Sequence, residues 1–162
     1  MKIAIMSDSH DNIWKIDQAL AKVEDADALL HCGDLCSPFV INRLGDWARD
    51  RKVYIVWGNN DGDKITISEN AEAYPSIELC GEYARLDLDG VNIFATHYPG
   101  IAEPVADSGD YDLVCYGHDH TRAVREIDNT ILLNPGEIMG MNGPSSLAVF
   151  DTGKKKSSFL EL

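Results

Sequence analysis

Apolar residues fall in short unbroken blocks through the first part of the chain and alternate with polar ones later, and the two patterns predict different elements. Lys2–Ser7, Ala28–Cys32 and Val53–Trp57 are apolar runs of the kind that make parallel strands buried on both faces. Between the first two, Ile13, Ile16, Leu20 and Val23 recur at helical spacing, which predicts a helix over Asn12–Glu24 with Asp11 as its N-cap. Between the second and third, Pro38 opens a helix that reaches about Asp50, with Val40, Leu44 and Trp47 on one face. Two strand–helix–strand units in succession imply right-handed crossovers and a parallel sheet.

The second half changes period. "YARLDLDGVNIFATH" alternates around Asp89-Gly90, a two-residue hairpin signal. A turn at Asp128-Asn129 joins "AVREI" to "TILLN", and a third hairpin joins "SLAVFDT" to "SSFLEL", with Lys154–Lys156 as its solvated tip. A short helix near Ile101–Ser108 precedes a buried strand over Asp112–Tyr116, and residues 64–74 read as helical. No repeat, linker or low-complexity segment interrupts the chain, so residues 1–162 are expected to form a single domain. The class is α/β (α+β), with one mixed sheet or two packed sheets flanked by helices; the periodicity leaves that choice open.

Polar residues cluster where the predicted strands end. Asp8 and His10 follow the first strand, and Asp34 follows the second after a glycine. Gly58-Asn59-Asn60-Asp61 follows the third, Thr96-His97 follows Val91–Ala95, and Gly117-His118-Asp119-His120 follows Asp112–Tyr116. In open α/β sheets ligands bind at the carboxyl ends of the strands, so these clusters should converge. Taken singly, Asp8 reads as a helix cap and Asp34 and Asn59 as turn residues. The histidines resist that reading, because four of the five in the chain stand at these strand ends. His118 and His120 are alternate residues, which in an extended segment project to one side. The glycines would let the backbone turn sharply near an ion. His31 lies inside an apolar run and reads as a core histidine or a support to the ligands.

Charge narrows the function. A formal net charge of −13 with no long basic run argues against general nucleic-acid binding, which depends on Lys and Arg neutralising phosphates. No segment resembles a signal peptide or approaches the length needed to span a bilayer. Cys32, Cys36, Cys80 and Cys115 lack metal-site spacing and read as reduced thiols, so the expected location is cytoplasmic, without membrane attachment. Self-association stays open.

Asp8, His10, Asp34, Asn59, His97, His118 and His120 are seven candidate ligands, too many for one tetrahedral ion and suited to two that share a carboxylate. Imidazole, carboxylate and amide together fit manganese, iron, cobalt, nickel or zinc, with manganese or nickel favoured, rather than an all-oxygen calcium site. D-x-H, G-D, G-N-x-D, a lone histidine and G-H-x-H, in that order, resemble the calcineurin-like metallophosphoesterases. The small size and lack of a cap domain are similar to the short prokaryotic phosphodiesterase branch. The resemblance implies a four-layer sandwich of two mixed sheets flanked by helices. It also implies that Asp8, His10 and His120 hold one metal, that Asn59, His97 and His118 hold the other, and that Asp34 bridges them. The implied reaction is hydrolysis of a small phosphate ester by a hydroxide between the ions, with Asp34, Asn59 and His97 at the catalytic centre.

Several residues depart from that pattern. Asn60 stands where the protein phosphatases have a histidine that serves as acid, Tyr98-Pro99 follows His97, Glu137 replaces the usual serine after "NPG", and Asp119 and Arg122 are unusual around the last motif. Asn60, Asp61, Tyr98, His31 and Arg122 are therefore candidates for supporting the ligands or meeting substrate. The competing readings are a scaffold of the retromer-subunit type with a vestigial metal site, a phosphomonoesterase, and a repair nuclease. The complete ligand set speaks against the first, and the acidic charge and missing accessory domains against the last.

Overall fold

A strand that is apolar at every position needs cover on both faces, and the architecture supplies it. The computed structural model describes residues 1–162. The first half runs β1 (Lys2–Met6), α1 (Ile13–Lys22), β2 (Ala28–His31), α2 (Phe39–Ala48), β3 (Lys52–Ile55), α3 (Lys64–Ala71) and β4 (Ile77–Leu79). The second half runs β5 (Tyr83–Leu88), β6 (Val91–Thr96), α4 (Pro99–Asp107), β7 (Leu113–Cys115), β8 (Ala123–Ile127), β9 (Thr130–Asn134), β10 (Ser146–Asp151) and β11 (Lys156–Glu161). One sheet has the order β11-β10-β1-β2-β3-β4, and the other β5-β6-β7-β9-β8. Both are mixed: β1 to β4 are parallel, as are β6, β7 and β9, while the hairpin strands at the margins are antiparallel.

Alternation along β1 shows the logic. Ala4 and Met6 face α1, α2 and α3, where they meet Ile16, Leu20, Val40, Leu44 and Ile67. Ile3 and Ile5 face the other way, into a layer shared with Leu30, Ile93, Ala95, Leu113 and Leu133. The outer side of the second sheet is closed by α4, whose Ala102 and Ala106 pack on Phe94 and Val114. The result is a helix–sheet–sheet–helix sandwich, so the choice the periodicity left open falls to two sheets. No helix is long and apolar enough to cross a membrane.

Local details differ from expectation. The N-cap of α1 is Asn12, whose Oδ1 accepts from the Lys15 N–H at 3.3 Å, and not Asp11. Asp11 instead has φ 60° and accepts from the Ser37 hydroxyl at 2.6 Å. The strand β4 escaped notice because Ile77–Leu79 is three residues long and only partly buried. The helix expected over 64–74 is shorter, Lys64–Ala71, and is capped by Asp63, which accepts from the Thr66 N–H.

Phe150 lies fully buried between the sheets. Truncation to alanine there should leave a cavity that rigid strands cannot close, costing about 3–5 kcal/mol in urea unfolding. A loss below about 1 kcal/mol would mean that the layer between the sheets collapses around the gap.

Candidate metal centre

The loops that leave the parallel strands carry the candidate ligands, and they do so in an unusual backbone conformation. Asp8, His10, Asp34, His118 and His120 have φ of 52°, 41°, 57°, 75° and 57°. Residues with a Cβ pay about 1–2 kcal/mol to enter this left-handed region, so the surroundings must hold it. Backbone hydrogen bonds between loops do so: Asp8 N–H to Gly33 O and His10 N–H to Asp34 O, both 3.0 Å, and Gly117 N–H to His97 O at 3.1 Å. The segment after β9 joins them through Ile138 N–H to Ser7 O and Met139 N–H to Asp8 O.

Close approach explains two glycines. A Cβ at Gly58 would run into the Asp34 carboxylate and lie 2.5 Å from the Asp34 backbone nitrogen. A Cβ at Gly117 would overlap the Ser7 hydroxyl and sit 2.7 Å from Asp8 Oδ2. Both glycines let neighbouring loops close on the carboxylates.

All seven candidate ligands come together. Asp8 Oδ1 is 3.4 Å from His120 Nε2 and 3.9 Å from His10 Nε2. Asn59 Oδ1, His97 Nε2 and His118 Nδ1 lie within 2.9–3.2 Å of one another. Asp34 Oδ2 stands between the two groups, 3.5 Å from both His10 Nε2 and His97 Nε2. His118 and His120, expected on one side of an extended segment, instead go to different groups, because both residues turn through left-handed φ.

The donor set suits a cation. His97 Nδ1 donates to the Cys32 carbonyl at 2.8 Å, which directs the Nε2 lone pair toward Asn59 Oδ1 and His118 Nδ1. His10 Nε2 is buried without a hydrogen-bond partner while facing Asp8 and Asp34. Separations of about 3.0–3.4 Å are those of neighbouring atoms around an ion with bonds near 2.1 Å. Asp8, His10 and His120 form one set that could hold an ion, and Asp8, Asp34 and His97 form another.

Electrostatics follows from burial. Burial pushes the Asp8 carboxyl above its ordinary value, partly offset by the Ser7 hydroxyl and nearby histidines. Burial acts the same way on Asp34, but the adjacent His97 imidazole and the hydrogen bonds from Asn60 outweigh it and hold that carboxyl well below the usual range. Burial lowers His97, and Asp34 and the Cys32 carbonyl more than restore it, so its net shift is upward. His31, wholly buried, is pushed down to about 3 and stays neutral. It accepts from the Gly33 N–H through Nδ1, leaving Nε2 to donate to Ser9 Oγ, and thereby props the turn that carries Asp34.

The remaining candidates divide. Asp61 accepts from the Asp34, Cys36 and Gly58 N–H groups and ties two ligand loops together. Asn60 does not stand free, since its backbone and side-chain N–H groups donate to Asp34 at 2.8 and 2.7 Å. Tyr98 packs its ring against His97 and His118. Arg122 pairs with Glu161 at 2.6 Å and lines, with His120, a polar hollow of about 330 Å³. Glu137 is the residue the site reading left out: it is buried and 2.6 Å from His120 Nδ1. Its sequence signal was a charged residue following "NPG" just past the buried strand β9.

Comparison with known proteins bears on the family and the fold. A family model described as the calcineurin-like phosphoesterase superfamily domain matches residues 1–155. A phosphodiesterase from Methanocaldococcus jannaschii is 33% identical over 161 residues, covering 96% of each chain. The solved structure of an archaeal phosphodiesterase superposes with a TM-score of 0.90 at 32% identity, covering 100% of both chains. Vacuolar protein sorting 29 from Cryptosporidium parvum shares the fold, with a TM-score of 0.69 at 21% identity over 99% of this chain and 96% of that one.

The crowding at Gly58 gives a direct test. Gly58→Ala should lower stability by about 1–3 kcal/mol, because backbone cannot yield as a flexible side chain would. Gly62→Ala, where an added Cβ meets nothing within 4 Å, should stay within about 0.5 kcal/mol. Equal urea midpoints for the two variants would remove the packing role given to Gly58.

Proposed function

The chain belongs to the calcineurin-like phosphoesterase superfamily of phosphoric ester hydrolases, and on that premise we propose that it is a metal-dependent phosphodiesterase acting on a small substrate. The observation that carries the reading is Asp34 Oδ2, equidistant from histidines of two ligand groups. Asp8, His10 and His120 would hold one divalent ion and Asn59, His97 and His118 the other, with Asp34 contributing to both. When bound, such a pair supplies a nucleophile from water at neutral pH and positive charge for the phosphoryl oxygens. The mixed donors favour transition metals, with manganese and nickel the first to test.

The protein's own residues do the rest. Asn60 and Asp61 fix the Asp34 carboxylate and its loop, and Tyr98 braces His97 and His118. The Cys32 carbonyl holds the Nδ1 proton of His97, so the opposite nitrogen stays available as a ligand. Neither the Asn60 amide, committed to Asp34, nor His31, enclosed by Ser9 and Gly33, is free to protonate a departing alcohol. Four unpaired cysteines, two of them fully buried, fit a reducing cytoplasm.

Two experiments test this. Metal analysis and a phosphodiester assay should find two ions per native chain, and Asp34→Ala should lose most metal and nearly all hydrolysis. Retention of both ions and full activity would overturn the bridging role. Rates across a series of esters should depend steeply on leaving-group pKa, with nitrophenyl esters cleaved well and alkyl esters poorly. A flat series would show that a proton donor operates at the site.

A further inference from the structure

The two ligand groups are not electrically alike. Apart from the shared Asp34, the Asn59, His97 and His118 group carries no carboxylate, whereas the other has Asp8 and, behind His120, Glu137. Glu137 is 1% exposed. Its Oε2 lies 2.6 Å from His120 Nδ1, while Oε1 accepts from the Asn142 and Gly143 N–H groups at 2.6 and 2.7 Å. His120 Nε2 points the other way, 3.4 Å from Asp8 Oδ1. The other histidines facing this centre have weaker backing: His97 donates to a carbonyl, and His10 Nδ1 meets the Cys36 sulfur at 3.5 Å.

We infer that Glu137 is a positioning residue for His120, fixing the proton on Nδ1 so that the Nε2 lone pair faces the ion held with Asp8 and His10, and making that ion the tighter of the two. The inference rests on the two-ion reading above. A carboxylate acceptor at 2.6 Å selects the tautomer, because it offers only lone pairs to Nδ1. The Asn142 amide nitrogen also lies 3.3 Å from Nδ1, but the charged carboxylate at 2.6 Å is the nearer and stronger partner. A carboxylate behind a ligating imidazole also makes the imidazole a stronger donor, and removing such a partner costs roughly 10–100-fold in metal affinity. The same side chain anchors the turn at Asn142-Gly143, so His120 and that turn share one buried support.

Glu137→Gln separates the two duties. Its oxygen can still take the Asn142 and Gly143 N–H groups, preserving the turn, but its NH2 then faces His120 Nδ1 and drives the proton to Nε2. Metal-stripped protein is titrated with Mn2+ by calorimetry, and the His120 tautomer is read by nitrogen NMR in ion-free protein at a pH where imidazole is neutral. Glu137→Gln should weaken the tighter Mn2+ roughly 10–100-fold, leave the weaker one and the melting temperature unchanged, and move the proton to Nε2. Unchanged affinities in Glu137→Gln, with a loss only in Glu137→Ala, would reduce Glu137 to an anchor of the turn and overturn the inference. If the native protein takes up no pair of Mn2+ ions, the two-ion reading fails, and the NMR decides alone: native His120 protonated on Nε2 overturns the positioning role.

Discussion

Asp8, Asp34, Asp61 and Glu137 are the buried carboxylates of this protein, and none has a lysine or arginine within salt-bridge distance. Buried charge without a partner is costly enough that a fold must either neutralise it or surround it with hydrogen-bond donors. Here backbone N–H groups donate to all four, joined by the Asn60 amide at Asp34 and His120 Nδ1 at Glu137, and the histidines converge on one small volume beside them. Much else follows from this constraint: the left-handed loops, the glycines pressed against carboxylates, and the hydrogen bonds that bind one loop to the next.

The parallel strands are what make such a concentration feasible. In β1, β2 and β3 the chain leaves in the same direction, and the same holds for β6 and β7, so their exit loops meet at one edge of the sandwich. Packing two sheets face to face brings loops of one against loops of the other, as the Gly117 contact with Ser7 and Asp8 shows. Neither sheet alone holds a complete candidate group, since Asn59 follows β3 while His97 and His118 follow β6 and β7. The layer between the sheets, with Ile3, Ile5 and Phe150 at its heart, therefore sets the spacing of the centre as well as the stability of the fold.

Support around the ligands is as extensive as the ligands. Asp61 clamps two loops, His31 props the turn at Gly33, Asn60 holds Asp34, and Asn134 reaches Asp119 and the Gly117 carbonyl to steady the segment that carries His118 and His120. Each is a polar side chain satisfied inside the protein, and together they tie the loops of the candidate centre to one another.

The chain's own pattern determined the strands other than β4, the two helices it marked by spacing, and the seven side chains that meet, because period and strand-end position are local properties. It also declared two-sided burial of β1, β2 and β3 through their unbroken apolar runs. What covers the second face is a non-local matter: Ile3 and Ile5 meet Ile93 and Leu113 only because two distant sheets stack, and no short-range period encodes that. The same limit hid the bond from Asn60 to Asp34, the pairing of Arg122 with Glu161 and the place of Glu137 behind His120. Each of these depends on backbone φ or on a neighbour far along the chain. The sequence thus supplied the chemistry, and tertiary packing alone decided which atom of each residue faces which partner.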